Sequence, residues 1–335
     1  MAQPTMKMVA ERAGVSTALV SLVMRGAPNV SDHRRARVLA AADELGYRPN
    51  VLARNLASRR TNTIGVVLND FHNPFFAEVA DNIQAAADRI GYRLLYGNGK
   101  HSVDGEAEAV ETFLQFRVDG IILVGSMDAA SMEQAAKSAA VVVVGRSEHG
   151  QRVDTANTDD RVGANLAIDH LVALGHRRIA HVDGGDGAGA SDRAGGYRDA
   201  MHRHGLGGHI LIAAGDYTEE GGQAAAVQLL AASPRPTAVF ASNDLSAIGT
   251  LDAFTTAGLR VPDDVSLVGF DNTAMTAMSY VSLTTVNQPT DELGQAAVDL
   301  LIRRLDAETA PAEHFVGSPI LVVRTSTAPP PAEAT

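Results

Sequence analysis

Cationic side chains are concentrated in the first sixty residues of the chain. This segment holds ten Lys and Arg residues and four Asp and Glu residues, a formal charge of +6, whereas the whole chain carries −11 and the remainder therefore −17. Lys and Arg side chains bind the phosphates of nucleic acid, and an acidic remainder repels them. The charge distribution therefore predicts a nucleic-acid contact at this end of the chain.

The cationic segment also carries the pattern of two short helices joined by a tight turn. Gly14 separates them, because glycine tolerates the positive φ that such a turn requires, and Ser16 is suited to cap the second helix. Apolar residues recur at helical spacing on both sides of the turn: Val9, Ala10 and Ala13, then Leu19, Val20 and Val23. This pattern predicts a helix-turn-helix whose second helix enters the DNA major groove, with an ordinary helical hairpin as the alternative.

A third helix is predicted at 32–45, where Ser31 is the expected N-cap and Gly46 the expected C-cap. Its apolar residues Val38, Leu39 and Ala42 are expected to face the core of a small three-helix bundle. Arginines at 34, 35 and 37 add positive charge to this helix.

The segment 49–60 is predicted to be a hinge between the bundle and the rest of the chain. Asn50 can cap a helix of two turns in which Ala53 and Leu56 share one face. So short a helix is marginal in water, so we expect it to form on DNA, where paired copies would insert Leu56 between base steps of the minor groove. A basic linker is the alternative.

Beyond residue 62, short Val-, Ile- and Leu-rich runs alternate with Ala-rich helical stretches. Strands are predicted at 63–68, 92–97, 120–124, 141–144, 178–183, 209–213, 238–241 and 266–268, and helices at 76–90, 161–174, 219–232 and 243–257. This alternation is typical of parallel sheets covered on both faces, and so many strands are better divided between two sheets. The tail 328–335, with three consecutive prolines, is predicted to be disordered.

Composition excludes several classes of protein. The chain has no cysteine, which excludes disulfides, thiolate metal sites and a cysteine nucleophile. The longest strongly apolar run, 139–144, is far too short to span a membrane, and charged residues interrupt any signal-peptide pattern at the N-terminus. We therefore expect a soluble, cytoplasmic protein with no membrane partner.

Short motifs spread along nearly the whole chain resemble the LacI/GalR family of bacterial transcription regulators. The matching stretches include Ala13-Gly14-Val15-Ser16, Leu45-Gly46-Tyr47, Pro49-Asn50, Asn73-Pro74-Phe75-Phe76, Leu174-Gly175-His176, Asn243-Asp244 and Gly269-Phe270-Asp271. Each is weak alone, but their number and order make the resemblance specific.

The resemblance implies a small all-α helix-turn-helix domain followed by a two-lobed α/β domain with parallel sheets, similar to periplasmic binding proteins of type I. The expected domains are 1–48 for DNA binding, 49–60 for the hinge, and 61–327 for effector binding and dimerisation. Within the last, the N-lobe would comprise about 61–158 and 289–318, and the C-lobe about 159–288 and 319–327. Family members act as homodimers, sometimes as tetramers, on pseudo-palindromic operator DNA.

The resemblance also assigns residues to the DNA contact. Thr17, Ala18 and Leu22 would meet base edges, although helix packing is an equal alternative for Leu22. The other residues assigned to DNA are Thr5, Ser16, Ser21, Arg25, Ser31, Arg34, Tyr47, Asn50, Ala53 and Leu56. Met8, Leu19, Arg25 and Arg34 depart from the residues common in the family, so we expect DNA binding but not the usual operator sequence.

An effector is expected in the cleft between the lobes. The resemblance points to Asp70, Phe75, Phe76, Arg193, Tyr217, Asn243, Asp271 and Gln288, most of which follow predicted strands. Carboxylates can accept from paired hydroxyls, arginine can donate, and an aromatic ring can cover an apolar ring face, so a sugar or polyol fits best. A nucleobase is the alternative. Only one of the two phenylalanines is expected to touch the effector, and Asp244 can instead hold its own helix.

Three patterns suggest other chemistry. Gly185, Gly187 and Ala190 match a dinucleotide-binding loop, but no carboxylate follows about 20 residues later, so an effector-cleft loop is expected. His202 and His204 lack a third zinc ligand, and 145–150 misses the spacing of a serine-hydrolase elbow by one residue. We predict no cofactor, metal or catalytic site.

The predicted function is sequence-specific transcriptional regulation, as a repressor whose operator affinity is controlled by a small molecule. Either induction or co-repression is compatible with this design. A sugar-binding transport component and a sugar- or nucleotide-modifying enzyme on the same α/β body are the alternatives. The basic head argues against the first, and the lack of a specific acid–base pair argues against the second.

Overall fold

The computed structural model describes residues 4–24, 26–48, 60–100, 102–125, 129–146, 153–307 and 309–332. The chain divides into two compact units, Met1–Thr61 and Asn62–Thr335, which we call the head unit and the body unit. None of the described residues belongs to a helix long and apolar enough to cross a membrane.

The head unit contains the three predicted helices, α1 (Met6–Ala13), α2 (Thr17–Met24) and α3 (Asp32–Leu45). Gly14 and Gly46 follow α1 and α3 with φ values of 59° and 64°, which confirms both as turn positions. The core of the unit contains Val9, Ala10, Ala13, Val20, Val23, Val38, Ala41 and Ala42. Leu39 is 46% exposed, so its prediction as a core residue is wrong. The helix buries positions 38, 41 and 42, and residue 39 lies about 100° around the helix from 38.

The body unit contains two six-stranded sheets, each the centre of one lobe. The N-lobe sheet has the order β11-β5-β4-β3-β1-β2, and all its strands are parallel. Its strands are β1 (Thr63–Leu68), β2 (Arg93–Asn98), β3 (Gly120–Val124), β4 (Ala140–Val144), β5 (Asp154–Thr158) and β11 (His314–Gly317). The helices of this lobe are α4 (Pro74–Arg89), α5 (Val103–Phe116), α6 (Ala129–Ala136) and α11 (Thr290–Asp306).

The C-lobe sheet has the order β12-β10-β9-β8-β6-β7, and only β12 runs antiparallel to its neighbour. Its strands are β6 (Ile179–Val182), β7 (Leu211–Ala213), β8 (Ala238–Ala241), β9 (Ser266–Asp271), β10 (Thr284–Asn287) and β12 (Ile320–Val322). Its helices are α7 (Asp160–Ala173), α8 (Ala190–Arg203), α9 (Glu219–Ala231) and α10 (Asp244–Thr256). The predicted fold class, parallel sheets in a two-lobed α/β body, is confirmed.

The chain passes between the two sheets three times. It leaves the N-lobe sheet after Thr158, returns after Asn287, and crosses again between Gly317 and Ile320. Each lobe has apolar clusters under its helices, and the middle strands of both sheets are almost wholly buried. Residues near the crossings can therefore contact both lobes.

Four strands, β5, β10, β11 and β12, have no counterpart among the predicted strands. The strand β5 shows why, because its sequence Asp154-Thr155-Ala156-Asn157-Thr158 is polar although every residue is buried. Asp154 is satisfied inside the protein, where its carboxylate accepts from Arg304 Nε at 2.8 Å and from the Glu313 amide at 2.7 Å. A buried strand that carries its own charge compensation does not show the apolar pattern used for prediction.

The tail was predicted to be disordered from residue 328, and the structure corrects this for 328–332. Ala328 pairs with Ser266, whose hydroxyl accepts from the Ala328 amide and donates to its carbonyl, both at 3.0 Å. His176 Nε2 lies 2.8 Å from the same carbonyl. Three hydrogen-bonding contacts thus hold the start of the proline run against the C-lobe, and residues 333–335 lie outside the described part.

Candidate functional site

Two capping hydroxyls begin the helices of the head unit. Thr5 Oγ1 accepts from the Met8 amide at 3.3 Å at the start of α1, and Ser16 Oγ accepts from the Leu19 amide at 3.2 Å at the start of α2. The predicted cap at Ser16 is confirmed. Ser31 is the N-cap residue of α3, as predicted, with an extended backbone, but its side chain makes no cap hydrogen bond there.

One face of α2 is open to solvent while the other packs into the head core. Val20 and Val23 are buried and Leu19 packs beside them, whereas Thr17 and Ala18 are exposed and Leu22 is 39% exposed. Leu22 is thus not a buried core residue of the head unit, and its contact with a base edge stays a prediction. The three residues assigned to base contact therefore share the open face of α2, and Ser21 beside them is half-buried.

Several arginines of the head unit are engaged by the protein itself. Arg12 pairs with Glu44 through its Nε at 2.8 Å. Arg35 Nη2 donates to the Ala27 carbonyl at 2.6 Å, and Arg37 donates to the Ala13 carbonyl at the end of α1. These side chains fix the helices of the bundle to one another. They are therefore less available to phosphate than their number suggests.

The remaining residues assigned to DNA are distributed as follows. Arg34 and Ser31 are exposed near the start of α3, and Tyr47 is half-buried and packs against the head core. Arg25, Asn50, Ala53 and Leu56 lie outside the described residues. The hinge therefore stays a prediction.

In the body unit, one cavity of about 320 Å³ lies between the lobes. All eight residues assigned to the effector line it: Asp70, Phe75, Phe76, Arg193, Tyr217, Asn243, Asp271 and Gln288. Most follow the carboxyl ends of parallel strands, which is where open α/β sheets bind ligands. The structure therefore brings together residues that are up to 218 positions apart in the chain. Their role in effector binding stays a prediction.

Arg193 is the centre of the polar wall of this cavity. Its Nε donates to Asp160 Oδ1 at 2.7 Å, its Nη1 donates to the Ser242 carbonyl, and Nη1 lies 3.8 Å from Asp271 Oδ1. The guanidinium carbon lies 3.8 Å from the ring centre of Phe270. Burial opposes charge on Arg193, but the two carboxylates keep its pKa above the usual range.

Asp271 connects this wall to the crossings between the lobes. Its Oδ1 accepts from Gln288 Nε2 at 2.7 Å, and Gln288 Oε1 accepts from Thr158 Oγ1 at 2.7 Å. Thr158 ends β5 and Gln288 follows β10, so this chain of hydrogen bonds joins two of the three crossings. Burial raises the pKa of Asp271 well above its usual range, and Arg193 opposes the rise. The φ of Asp271 is 122°, in the region that favours glycine.

Tyr217 and Asn243 form a third part of the wall. The Tyr217 hydroxyl donates to the Ala188 carbonyl at 3.0 Å, and Asn243 Nδ2 donates to the Tyr217 carbonyl at 2.9 Å. Asn243 Oδ1 also accepts from the Ser246 amide at 2.8 Å and so caps α10. Burial raises the pKa of Tyr217, so its ring carries a neutral hydroxyl into the cavity.

Asp244 does not begin its own helix in the way expected, because Asn243 is the cap. Asp244 is buried, and its carboxylate accepts from the Thr273 amide at 2.8 Å and from Thr285 Oγ1 at 2.6 Å. Burial raises its pKa to about 6. It supports the turn after β9 and thereby the position of Asp271.

The N-lobe contributes an aromatic wall. Phe75 is 9% exposed and belongs to the N-lobe core, whereas Phe76 is half-buried, and their rings meet edge to face at 5.5 Å between centres. Asp70 follows β1, and its Oδ1 accepts from the His72 amide at 2.7 Å. The difference in burial makes Phe76 the better candidate for the one ring expected to touch an effector.

The structure also shows where two sequence patterns that suggested other chemistry lie. Gly184, Asp186, Gly187 and Ala188 line the cavity, so the glycine-rich loop lies where an effector-cleft loop was expected. His204 Nε2 pairs with Asp169 Oδ1 at 2.6 Å on the surface. Among the residues that the structure describes, no group of three or more potential ligands could hold a metal ion.

Sequence reasoning missed Asp160, which lines the cavity, and Thr158, whose hydroxyl donates to Gln288. Thr158 ends β5 and Asp160 begins the helix that follows it, and because this polar strand was not predicted, no reason existed to place either residue at a sheet edge. The adjacent pair Asp159-Asp160 before a helical stretch was the available signal. Asp159 proves to cap α7 through the Val162 amide at 2.9 Å, which leaves Asp160 to pair with Arg193.

Comparisons with known proteins identify the family. The model for the lacI family of bacterial regulatory proteins matches residues 5–50, and that for a periplasmic binding protein-like domain matches 168–327. The chain is 36% identical to the ribose operon repressor of Escherichia coli (strain K12) over 329 residues, 96% of this chain and 99% of that protein. It is also 36% identical to catabolite control protein A of Priestia megaterium over 306 residues, 90% of this chain and 92% of that protein.

Solved structures agree with these relatives. The lac repressor dimer bound to operator and the anti-inducer ONPF superposes with a TM-score of 0.86 at 29% identity, covering 98% of this chain and 100% of that one. The helix-turn-helix pattern, the two-lobed body and the matches over almost the full length point to the same kind of protein. The chain belongs to the LacI family of bacterial regulatory proteins, and it is a DNA-binding transcriptional regulator rather than an enzyme.

Proposed function

We propose that a small uncharged sugar or polyol binds in the cavity between the lobes and controls the affinity of the protein for its operator. The observation that carries this proposal is the lining of this cavity by residues of both lobes. A ligand that contacts both walls stabilises one relative position of the lobes over others, and this is the requirement for control by population shift.

The chemistry of the walls supports a polyol. Carboxylate and amide oxygens on the C-lobe side can accept hydroxyl protons, Arg193 is a hydrogen-bond donor in the same wall, and Phe76 and Tyr217 offer ring faces to the apolar side of a sugar ring. The volume of about 320 Å³ lies at the lower end of the range of small-molecule sites. A purine base is the second candidate, because the same aromatic side chains could stack on it.

The route from the cavity to the crossings supports coupling to DNA. Gln288 contacts both Asp271 in the cavity wall and Thr158 at a crossing. A ligand that displaces Asp271 or Gln288 would therefore change contacts at the crossings directly. Coupling of about 1–3 kcal/mol would change operator affinity by roughly 5- to 150-fold.

On the DNA side, we propose that the protein acts as a homodimer, which presents two copies of α2 to successive major grooves. A tetramer is the alternative oligomeric state. Thr17, Ala18 and Leu22 cannot make the bidentate contacts of arginine or glutamine to bases, so readout would use thymine methyl groups, Arg25 and deformation at the Leu56 step. A regulator that acts on operator DNA would act in the cytoplasm.

A thermal-shift panel of sugars, polyols and purines tests the effector, followed by operator titrations with each compound that raises the melting temperature. We expect at least one sugar or polyol to stabilise the protein and to change operator affinity. If purines alone raise the melting temperature, the proposed effector is a nucleobase and not a polyol. No change of operator affinity at a saturating concentration of the stabilising ligand would contradict the allosteric proposal.

A further inference from the structure

We propose that Asp160 is a specificity-determining residue that acts as a built-in anion and excludes phosphorylated ligands from the cavity. This inference rests on the proposed effector cavity and narrows its ligand to the non-anionic sugars and polyols. Three observations support it: the position of the Asp160 carboxylate, its ion pair with Arg193, and the side chains that cap the neighbouring helices.

The Asp160 carboxylate lies against the first turn of a neighbouring helix, although the residue itself begins α7. A Cβ atom built on Gly189, the residue that precedes α8, would lie 2.6 Å from Asp160 Oδ2 and 3.2 Å from Oδ1. The N-terminus of a helix is the usual position for a phosphate, because its amides and dipole favour negative charge. The glycine-rich loop before α8 has the pattern of such a phosphate site, but the Asp160 carboxylate lies beside it.

The same carboxylate neutralises the cation that a phosphate would need. Arg193 Nε donates to Asp160 at 2.7 Å, and its Nη1 is used by the Ser242 carbonyl with Asp271 3.8 Å away. Two buried carboxylates therefore face one guanidinium. Among the described residues that line the cavity, Arg193 carries the one positive charge, whereas five aspartates line it: Asp70, Asp160, Asp186, Asp216 and Asp271.

The other helices that begin at the cavity are also capped by side chains. Asn73 Oδ1 accepts from the Phe75 amide at the start of α4, where Pro74 has no amide proton to offer. Thr218 Oγ1 accepts from the Gly221 amide at the start of α9, and Asn243 fills the same role at α10. A phosphate that entered would meet carboxylates at the wall and capped helix ends around it.

A hydroxyl group meets the opposite situation. It donates to a carboxylate instead of repelling it, and charge-assisted hydrogen bonds of this kind are about twice as strong as neutral ones. The surplus of carboxylates therefore favours a polyol and disfavours its phosphate ester. The discrimination depends most on Asp160, because its carboxylate both lies beside the N-terminus of α8 and pairs with Arg193 at 2.7 Å.

The test compares the wild type with Asp160→Asn, which keeps the size of the side chain and removes its charge. Asp186→Asn is the matched control, because it removes the same charge from an exposed position of the cavity lining. Each protein is titrated calorimetrically with inorganic phosphate, with D-ribose and with D-ribose 5-phosphate. Asp160→Ser provides a second neutral variant if the asparagine variant does not fold, as judged by circular dichroism.

We expect no saturable binding of inorganic phosphate to the wild type or to Asp186→Asn. In Asp160→Asn, the affinity for inorganic phosphate should rise by at least about tenfold, equivalent to about 1.4 kcal/mol. Wild type that binds phosphate saturably, or neutral variants at 160 that gain nothing, would overturn the inference. So would a wild type that binds D-ribose 5-phosphate as tightly as D-ribose.

The phosphate titration separates this inference from the proposed function. If no sugar or polyol binds the wild type, the proposed effector is wrong, but the gain of phosphate binding on removal of the Asp160 charge still decides the role of Asp160.

Discussion

The two walls of the cavity are built in different ways. The C-lobe wall is a network of buried charged and polar groups, in which Arg193, Asp160 and Asp271 are held by one another. The N-lobe wall carries two aromatic rings beside Asn69, Asp70 and Asn73, with Phe75 locked in the lobe core and Phe76 less buried. In the proposed ligand site, the C-lobe would supply fixed hydrogen-bonding positions, while the N-lobe would supply a ring face.

This division has an energetic consequence. A buried ionic network loses much stability when one partner is removed, because the other charges remain buried. An aromatic wall loses packing in proportion to the burial of the ring that is removed. For substitutions in the C-lobe wall and in the N-lobe wall, we therefore expect a different ratio between the loss of folding stability and the loss of ligand affinity.

The largest effect is expected for Arg193→Ala. The variant leaves Asp160 and Asp271 buried beside each other without their shared cation, so the free energy of unfolding should fall by about 3–5 kcal/mol and the ligand response should be lost. Urea denaturation measures the first effect and calorimetry the second. Arg198→Ala, at an exposed position of the same helix, is the control and should change stability by less than about 0.5 kcal/mol. If the free energy of unfolding fell no more in Arg193→Ala than in this control, the stabilising role of the ionic network would be contradicted.

The second comparison separates Phe75 from Phe76. Phe75→Ala should lower the free energy of unfolding by about 3–5 kcal/mol, because it removes a ring from the N-lobe core. Phe76→Ala should lower it less and weaken effector binding more. If Phe75→Ala affected binding while leaving stability intact, the assignment of the two rings would have to be exchanged.

The third prediction concerns pH and the core behind the C-lobe wall. His181 is fully buried between Tyr197 and Phe240, and burial lowers its pKa from 6.5 to about 4. Since the unfolded chain binds this proton at higher pH than the native state does, His181 opposes folding increasingly as pH falls from about 6.5 to 4, by about 3 kcal/mol in total. The raised pKa of Asp244 has the opposite sign in this range.

His181→Phe isolates the histidine contribution, because the ring stack is retained. The difference in unfolding free energy between wild type and variant should shrink or reverse as pH is lowered from 7 to 4.5, measured by urea denaturation at each pH. Parallel curves for the two proteins over this range would show that His181 does not titrate as described.

The smallest effect is expected at the crossings. Gln288→Ala removes the hydrogen bonds to Thr158 and Asp271 and should lower stability by about 1–2 kcal/mol. Thr158→Ala breaks the same bond from the other end, so the double variant should lose less than the sum of the single losses. Denaturation of the four proteins measures this coupling, and strictly additive losses would mean that the two residues do not act together.

Much of this arrangement could be predicted before any coordinates. The turn glycines, the cap at Ser16 and most strands follow from local chemistry, and the residues of the cavity came from a resemblance spread over many short motifs. Local patterns could not show that a polar strand is buried, because the charge of Asp154 is compensated by arginines 149 and 150 residues away. Asp160 was missed for this reason, and Leu39 was misplaced because apolar character does not define which face of α3 is buried.

Operator affinity measured with and without a saturating cavity ligand tests the central claim most directly. Fluorescence anisotropy with labelled operator DNA, at fixed salt, should show a roughly 5- to 150-fold change for the wild type and no ligand-dependent change for Arg193→Ala. An unchanged wild-type affinity with the cavity filled would contradict the account, as would an Arg193→Ala protein that responds like the wild type.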